Sequence, residues 1–486
     1  MSGSLGHSAA RGAMFTLGAQ GTKMLLQLLS VITLARLLTP HDYGLMAIVL
    51  VIVGIGEIFR DFGLTQAAVQ APELSDRQRD NLFWINAAIG VVLALIMFAL
   101  AWPVHLFMHE DELIAIVRVL SCTFVLNGLT TQYRAQLMRA LRFRAMAVID
   151  IAAAVLALGT AIIAAVCGAG YWALVLQQIV NSATLLLGAI LAGRWRPRRY
   201  RRGEAMAPFI RFGSNLVASN LVTYVGNQID TVIVGGRFGT TSLGLYNRAY
   251  QLITTAFNQF RAPLSAVAVP VLSRVQADSR RFDSFVVSGQ LALGYGLGIP
   301  LSLVAGAADP VVRIVLGEQW AAAAPLLRFF AGASLLSSLS FVGYWVYVSR
   351  GLTRQLFHYS LVSLSIRIVC IVTGSVFGLT GVAAGVMAAP LLAWSVSITW
   401  LSRITPIPVR ALWFGGLRII GVTGVVTAAS WGATMMVDAG PWPTVLVALG
   451  AGAVIAALFL VVPAYRRDAR ALVGFARLML RREGPR

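Results

Sequence analysis

The chain has 486 residues, of which 58% are hydrophobic and only 12% are charged, and its mean hydropathy is +0.77. A soluble globule of this length needs more charge to cover its surface, so the composition excludes one and indicates an integral membrane protein. The formal net charge of +20 would suggest nucleic-acid binding in a soluble chain. Here the arginines are concentrated in one set of loops, so we expect contact with membrane lipids and no nucleic-acid partner.

About fourteen apolar runs are long enough to span a bilayer, which takes about 20 residues per helix. We predict spans near 14–38, 44–66, 82–107, 113–136, 145–167, 171–193, 209–237, 242–264, 284–307, 322–348, 354–377, 380–402, 411–437 and 442–463. The gaps between them alternate in charge. The arginine-rich gaps lie near 77–79, 139–144, 194–202, 274–281, 350–354, 403–410 and from 466 onwards. The acidic or nearly uncharged gaps lie near 39–43, 109–112, 167–171, 239–242, 309–318, 377–380 and 438–443.

This alternation predicts the orientation, because membrane proteins keep Lys and Arg in their short cytoplasmic loops. The arginine-rich gaps are therefore cytoplasmic, and an even number of spans places both termini in the cytoplasm. Lys23 is the only lysine among 39 basic residues, which suggests a GC-rich bacterial genome. We expect a multi-pass protein of the bacterial inner membrane, with the first apolar run retained as a helix.

The chain also repeats itself after about 200 residues: Arg36 and Gly44 recur as Arg237 and Gly244 in similar surroundings. A repeat of six helices restores the starting side of the membrane, so the two copies should be parallel. We therefore predict an all-α integral membrane protein with two parallel six-helix lobes around a central cavity, plus an appended helix pair. The expected parts are a first lobe at 1–193, an arginine-rich cytoplasmic linker at 194–208, a second lobe at 209–403, the extra pair at 404–464 and a basic cytoplasmic tail at 465–486.

Charged side chains inside a bilayer are costly, so each is a functional candidate. In the first predicted helix Gln20, Lys23 and Gln27 share one face. Lys23 cannot easily reach either interface, so we expect it to face a wet cavity, with a structural ion pair as the alternative. Glu57, Arg60 and Asp61 cluster towards the cytoplasmic end of the second helix. Glu57 is a candidate coupling acid, and the alternative is an interfacial ion pair that caps this helix near Arg77.

The seventh and eighth predicted helices are the most polar pair. Their candidate cavity residues are Asn227, Asp230, Asn247, Arg248, Gln251, Asn258 and Arg261. Asp230 and Arg248 lie at matching depths, so we expect them to pair, and Asp230 is the second candidate coupling acid. On the eighth helix Asn247, Gln251, Asn258 and Arg261 lie along one polar stripe, with Arg248 beside it. This stripe either lines a cavity or joins helices by hydrogen bonds. A cavity lined by cations and amides suits an anionic, hydroxyl-rich cargo.

The sequence contains none of the common enzyme motifs: no GxGxxG on a strand–helix unit, no GxxxxGK[ST], no HExxH and no GxSxG. The cysteines and histidines show no metal-ligand spacing. We therefore expect no catalytic residue, no metal site and no cofactor, with coupling to protons or to the membrane potential left open. Arg36 and Arg237 are repeat mates near the outer ends of their helices, and we expect them to form a structural or gating pair.

Two stretches resemble the Wzx-type polysaccharide-exporter branch of the multidrug/oligosaccharidyl-lipid/polysaccharide superfamily: the start of the chain, from Arg11-Gly12-Ala13 through Leu34 to Gly44, and Gly244 to Leu252. The resemblance implies a flippase that moves polyprenyl-pyrophosphate-linked oligosaccharide units, the precursors of lipopolysaccharide or exopolysaccharide, from the inner to the outer leaflet by alternating access. It also implies glycosyltransferases and a polymerase of the same pathway as partners. Basic cavity residues of such proteins are thought to hold the pyrophosphate. Lys23, Arg36, Arg248 and Arg261 are the positions of this chain that could do so, and the resemblance does not select among them, because the cavity charges differ between members of the family.

Three alternative functional classes would each require a different sequence feature. A drug or metabolite antiporter of the same fold would have an apolar, aromatic cavity around one buried acid. A membrane-embedded polymerase or ligase would need a sizeable outer loop, and the longest outer gap here is 308–321. A major-facilitator transporter would have a glycine-rich loop after its second helix, but residues 71–80 contain no glycine.

Overall fold

The computed structural model describes residues 2–61, 75–193, 195–200, 207–437 and 440–480. All regular elements within these residues are helices. Eleven of those helices are long and apolar enough to cross a membrane. The prediction of an all-α, multi-pass membrane protein is confirmed, whereas the count of fourteen spans stays a prediction.

The helices follow the apolar runs closely. Those of the first part are α1 Ser2–Leu37, α2 Pro40–Asp61, α3 Asp76–Met108, α4 Glu112–Arg139, α5 Phe143–Val166 and α6 Trp172–Gly193. They continue as α7 Ala207–Val275, α8 Ser279–Gly306, α9 Ala308–Val315, α10 Ala324–Ser349, α11 Thr353–Ser375, α12 Gly378–Ile404, α13 Val409–Met435, α14 Pro441–Phe459 and α15 Pro463–Leu480. A 3₁₀ helix, Glu318–Ala323, precedes α10.

Two elements differ from the sequence-based expectation. The gap predicted at 239–242 is a break of one residue inside α7, where Gly239 has φ 80° and ψ 173°. Glycine adopts a positive φ without steric cost, so one residue replaces a loop. The segment from 465 onwards is expected to be a plain basic tail, but much of it forms α15.

The chain divides into two compact units, Met1–Gly244 and Leu245–Arg486. The predicted lobe boundaries at 193 and 209, and the lobe arrangement around a cavity, stay predictions.

In the first unit α3 packs along α4, α5 along α6, and α1 against α5. Residues from three arginine-rich gaps meet at one end of these helices. Arg79 lies over the ring of Trp195 at 4.7 Å from its centroid, and Trp84 Nε1 donates to the Arg198 carbonyl at 2.7 Å. Arg142 donates to the carbonyl of Ala192 at 2.7 Å. The arginine-rich gaps of this unit therefore lie close together.

The uncharged and acidic gaps of the first unit also come together. Thr240 Oγ1 donates to Glu110 Oε1 at 2.7 Å and lies 2.9 Å from His41 Nδ1. A Cβ placed on Gly170 would lie 3.2 Å from Asp42 Oδ1. Four gaps that the charge pattern assigned to one side of the membrane thus meet.

The second unit has a core of large aromatic side chains. Trp320, Trp345, Trp394 and Tyr347 are fully buried, where they contribute the largest apolar areas. Helix α8 packs against both α10 and α13, and Gln290 Nε2 on α8 donates to the Leu412 carbonyl on α13 at 2.7 Å. These contacts hold α10 and α13 against α8.

Candidate functional site

A cluster of three charged residues joins three helices of the first unit, and we call it the Asp150 cluster. Asp150 on α5 accepts from Arg134 Nη1 on α4 at 2.6 Å, with Nη2 at 3.4 Å from its second oxygen. Lys23 on α1 places its Nζ 3.7 Å from Asp150 Oδ2. Two cations therefore share one carboxylate, and the cluster carries a net charge of +1.

The Asp150 cluster lies within the helices rather than at their ends. Lys23 precedes the end of α1 by fourteen residues, which is about 21 Å of helix. Asp150 follows the start of α5 by seven residues, or about 11 Å. Because α5 begins directly after an arginine-rich gap, the cluster lies nearer to the arginine-rich end of α5 than to its opposite end.

The two cations of the Asp150 cluster are not equivalent. The Lys23 side chain is 50% exposed and that of Asp150 is 23% exposed. Arg134 makes the shorter, forked contact, so it compensates most of the carboxylate charge. The longer contact with Asp150 holds the Lys23 ammonium group in place and leaves it accessible. An ammonium group held in this way can release the carboxylate and bind a phosphate instead.

Gln20 and Gln27 lie on the same helix as Lys23, and both are exposed. The predicted polar face of the first helix is therefore accessible within the first unit. Its orientation towards a cavity stays a prediction.

Glu57 is engaged through both carboxylate oxygens. Arg60 contacts Glu57 Oε2 at 2.6 Å, and Asn127 Nδ2 donates to Oε1 at 2.8 Å. Arg60 also donates to Thr131 Oγ1 at 2.7 Å. The ion pair that the sequence offered as the alternative to a coupling role is present, and it is part of a network between α2 and α4. The side chain of Asp61 lies outside the described residues.

Asp230 and Asn227 lie on α7 before the break at Gly239. Asp230 is 2% exposed, and its Oδ1 accepts from the backbone N–H of Thr231 at 3.1 Å. Asn227 is exposed. Asp230 belongs to the first unit and Arg248 to the second, so the expected pairing of these two residues stays a prediction.

The second unit contributes the continuation of α7. Arg248 is 8% exposed and donates from Nη1 to Gln251 Oε1 at 2.8 Å. Asn247 has a buried Nδ2 that makes no hydrogen bond within the described part of the chain. On another side of the helix Tyr246 packs edge-on against Phe330, with centroids 4.9 Å apart. This part of α7 therefore places the buried guanidinium of Arg248 next in sequence to the Asn247 amide, whose Nδ2 makes no hydrogen bond within the described residues.

The remaining predicted positions are Asn258, Arg261, Arg36 and Arg237. The side chains of Asn258 and Arg261 lie outside the described residues. Arg36 and Arg237 are both exposed, and the Arg237 guanidinium lies 5.9 Å from the ring centroid of Phe238. A structural or gating role for this pair stays a prediction.

Sequence reasoning missed Arg134, Asp150, Asn127 and Thr131. Arg134 and Asp150 are charged residues inside the predicted spans 113–136 and 145–167, so the rule that selected Lys23 would also have selected them. Asn127 and Thr131 carried no comparable signal, because polar uncharged residues are common in membrane helices.

One group of side chains has the composition of a metal site. Ligand atoms of His41, Glu110 and Glu112 lie within 4.8 Å of one another. His41 comes from one gap and Glu110 and Glu112 come from another, about 70 residues later, so sequence spacing gave no sign of the group. His41 and Glu110 are both hydrogen-bonded to Thr240, and these bonds account for their proximity without an ion.

The fold is that of a known class of membrane transporters. The solved structure of the lipid II flippase MurJ in an inward closed conformation aligns with a TM-score of 0.69 at 13% identity, over 92% of this chain and 99% of that chain. An inward-facing multidrug resistance MATE family transporter of the MOP superfamily aligns with a TM-score of 0.59 at 16% identity, over 82% of this chain and 98% of that chain. At such identities the likeness defines the fold alone.

Sequence comparison identifies the family to which the chain belongs. The family described as "Polysaccharide biosynthesis protein" matches residues 33–325, which is more than half of the chain, and the chain therefore belongs to this family. It is 26% identical over 325 residues to the lipopolysaccharide biosynthesis protein WzxC of Escherichia coli K12, covering 65% of this chain and 64% of WzxC. It is 28% identical over 288 residues to the teichuronic acid biosynthesis protein TuaB of Bacillus subtilis 168, covering 58% of this chain and 59% of TuaB. The matched region thus spans about three-fifths of the length of these relatives.

Proposed function

We propose that this protein is a flippase that moves polyprenyl-pyrophosphate-linked oligosaccharide units from the inner to the outer leaflet. The observation that carries the proposal is the Asp150 cluster, which places an accessible ammonium group and a net positive charge within apolar helices. Charged side chains inside a bilayer are costly even when they are paired, and they mark the path of polar cargo. Membership in a polysaccharide biosynthesis family makes a lipid-linked sugar the cargo that fits this charge.

The proposed orientation follows from the arginine-rich gaps. With these gaps in the cytoplasm, the chain crosses the inner membrane fourteen times and both termini are cytoplasmic. The Asp150 cluster then lies in the cytoplasmic half of the bilayer. A pyrophosphate that enters from the inner leaflet would meet Lys23 early in its passage.

The proposed mechanism is alternating access between two six-helix lobes. Crossing hydrocarbon directly would strip water from the sugar and the pyrophosphate at a large cost in free energy. A hydrated path lined by cations and amides lowers that cost, while the polyprenyl chain stays in lipid. Lys23 holds the pyrophosphate, and Asp150 keeps the ammonium in position before the cargo arrives and after it leaves.

Residues of α7 would take up the remainder of the head group. Arg248 offers a second cation, and the amides of Asn247 and Gln251 can hydrogen-bond sugar hydroxyls. Gln20, Gln27, Asn227, Asn258 and Arg261 are proposed to line the same path, and Arg36 and Arg237 to support its outer end. Glu57 or Asp230 is the proposed site of coupling to protons or to the membrane potential. No catalytic step is involved, and the proposed partners are the glycosyltransferases and the polymerase of the same pathway.

The function can be tested in the native host by deleting the gene and restoring it with wild-type or Lys23→Ala protein. The proposal predicts that the deletion strain loses its surface polysaccharide and accumulates lipid-linked oligosaccharide that is accessible only from the cytoplasm. Wild-type protein should reverse both changes, whereas Lys23→Ala should do so poorly at equal expression. Normal surface polysaccharide in the deletion strain would refute the proposal.

A further inference from the structure

Helix α15 begins only four residues after α14 ends at Phe459. The connection is a tight turn, in which the N–H of Val462 donates to the Phe459 carbonyl at 3.1 Å. Arg466 closes the turn by donating from Nε to the Leu460 carbonyl at 3.2 Å. The length and apolar composition of α14 suffice for it to cross a membrane, and a crossing by α14 places the start of α15 at a membrane surface.

The only acidic residue of α15 points into the protein. Asp468 is 6% exposed. Arg418 on α13 donates to it from Nε at 2.9 Å and from Nη2 at 2.8 Å, and Tyr295 Oη on α8 donates to it at 3.0 Å. A forked arginine–carboxylate contact is geometrically specific. It docks α15 on the second unit in one orientation.

This docking leaves an unbalanced positive face on α15. Arg466, Arg467 and Arg470 are exposed and form no ion pair within the described part of the chain. Asp468 cannot compensate them, because its charge is taken by Arg418. The half-buried side chains of the same stretch are apolar, including Tyr465, which packs edge-on against Phe459 with centroids 5.0 Å apart.

We propose that α15 is a membrane-surface helix whose exposed arginines bind the headgroups of anionic phospholipids. An amphipathic helix with a basic polar face lies in the plane of the interface and is attracted to anionic lipid. The guanidinium fork matches a phosphate group. The tight turn after α14 fixes the distance of the helix from the bilayer, and the contact of Asp468 with Arg418 fixes which face is turned outward. The inference does not depend on the cargo of the protein.

The test uses the full-length protein in phosphatidylcholine vesicles that contain a photoactivatable phosphatidylglycerol, with crosslinked peptides identified by mass spectrometry. The comparison is between wild type, the triple variant R466Q/R467Q/R470Q and the matched variant R196Q/R198Q/R199Q, which removes three exposed arginines of the linker. We expect labelling of residues 463–480 in wild type and in the linker variant. In the α15 variant this labelling should fall by about tenfold.

Two further measurements distinguish binding of anionic lipid from a general affinity for the bilayer. A photoactivatable phosphatidylcholine should label α15 much less than the phosphatidylglycerol probe does. Asp468→Asn, which loosens the docking, should spread the labelling along the helix while the protein remains monodisperse. Equal labelling by the two lipids, unchanged labelling in the α15 variant, or no labelling of α15 in wild type would overturn the proposal; the last result would indicate that the arginines serve a protein partner.

Discussion

Gly44 and Gly244, which hold equivalent positions in the two sequence repeats, are packed against each other in the first compact unit. A Cβ on Gly244 would lie 3.1 Å from the backbone nitrogen of Gly44 and would overlap the carbonyl oxygen of Pro40. A Cβ on Gly44 would overlap the carbonyl oxygen of Thr240. Pro40 and Thr240 are also one repeat apart, so the contact is symmetrical. Positions that the predicted duplication makes equivalent are thus in close backbone contact.

Gly44→Ala and Gly244→Ala should each destabilise the protein, because the added methyl group meets backbone that cannot move aside. Overpacking of this kind costs about 1–3 kcal/mol, and we expect a lower temperature of thermal unfolding for the purified protein. Gly159→Ala is the matched control, since nothing lies within 4 Å of an added Cβ there. The close contact would be contradicted if Gly44→Ala and Gly159→Ala unfolded at the same temperature.

The helices were largely predictable from the sequence, and their tertiary contacts were not. Apolar runs of sufficient length define spans by a local rule, so α3 to α6 fall where the sequence predicts them. The break at Gly239 is predicted as a loop, because a glycine followed by two threonines does not reveal that the helix resumes at once. Likewise α15 is predicted only as a basic tail, since its arginines suggest solvation and its apolar face becomes meaningful only once Asp468 is docked.

The candidate site was predictable in part for the same reason. The intramembrane rule identifies Lys23, but it cannot state which helix supplies the partner, and Asp150 lies on a helix distant in sequence. The network around Glu57 joins α2 to α4 through Asn127, a residue with no local signal. Contacts that depend on helix packing had to come from the structure.

The Asp150 cluster predicts unequal coupling between its members. A double-mutant cycle of Arg134→Gln with Asp150→Asn should give an interaction free energy of about 1–3 kcal/mol, because that contact is short and forked. The cycle of Lys23→Gln with Asp150→Asn should give about 0–1 kcal/mol, because the ammonium group is half exposed and its contact is longer. Thermal or denaturant unfolding of the purified variants measures both. Equal coupling in the two cycles would mean that Lys23 is a structural partner and is not held for cargo.

A substitution at Asn247 should lower transport without lowering the stability of the protein. Its buried Nδ2 has no hydrogen-bond partner within the described residues, so Asn247→Leu removes an unsatisfied donor and should leave the unfolding temperature unchanged or higher. The same change should lower translocation if the amide binds a sugar hydroxyl. Thr254→Val is the control, because the Thr254 hydroxyl already donates its proton to the Tyr250 carbonyl at 2.8 Å and cannot donate it to a sugar as well. A destabilised Asn247→Leu protein would contradict this assignment.

A substitution at Glu57, in contrast, should lower the stability of the protein. Glu57→Gln breaks the ion pair with Arg60 and leaves the partly buried Arg60 guanidinium without a compensating negative charge. We therefore expect the free energy of unfolding to fall by about 1–2 kcal/mol. If Glu57 is also the coupling acid, translocation by the variant should no longer respond to an imposed proton gradient. A variant of normal stability would show that the network is dispensable, and a preserved response to the gradient would direct attention to Asp230.

The most direct test of the proposed flippase activity is a leaflet-resolved transport assay in proteoliposomes. Vesicles would carry a fluorescent polyprenyl-pyrophosphate oligosaccharide in both leaflets, and the accessible fraction would be measured with a membrane-impermeant enzyme that cleaves the sugar. We predict that wild-type protein makes the protected pool accessible, that Lys23→Ala does so at least about tenfold more slowly at equal incorporation, and that Gly159→Ala matches wild type. A protected pool that is the same with and without wild-type protein would contradict the proposed activity.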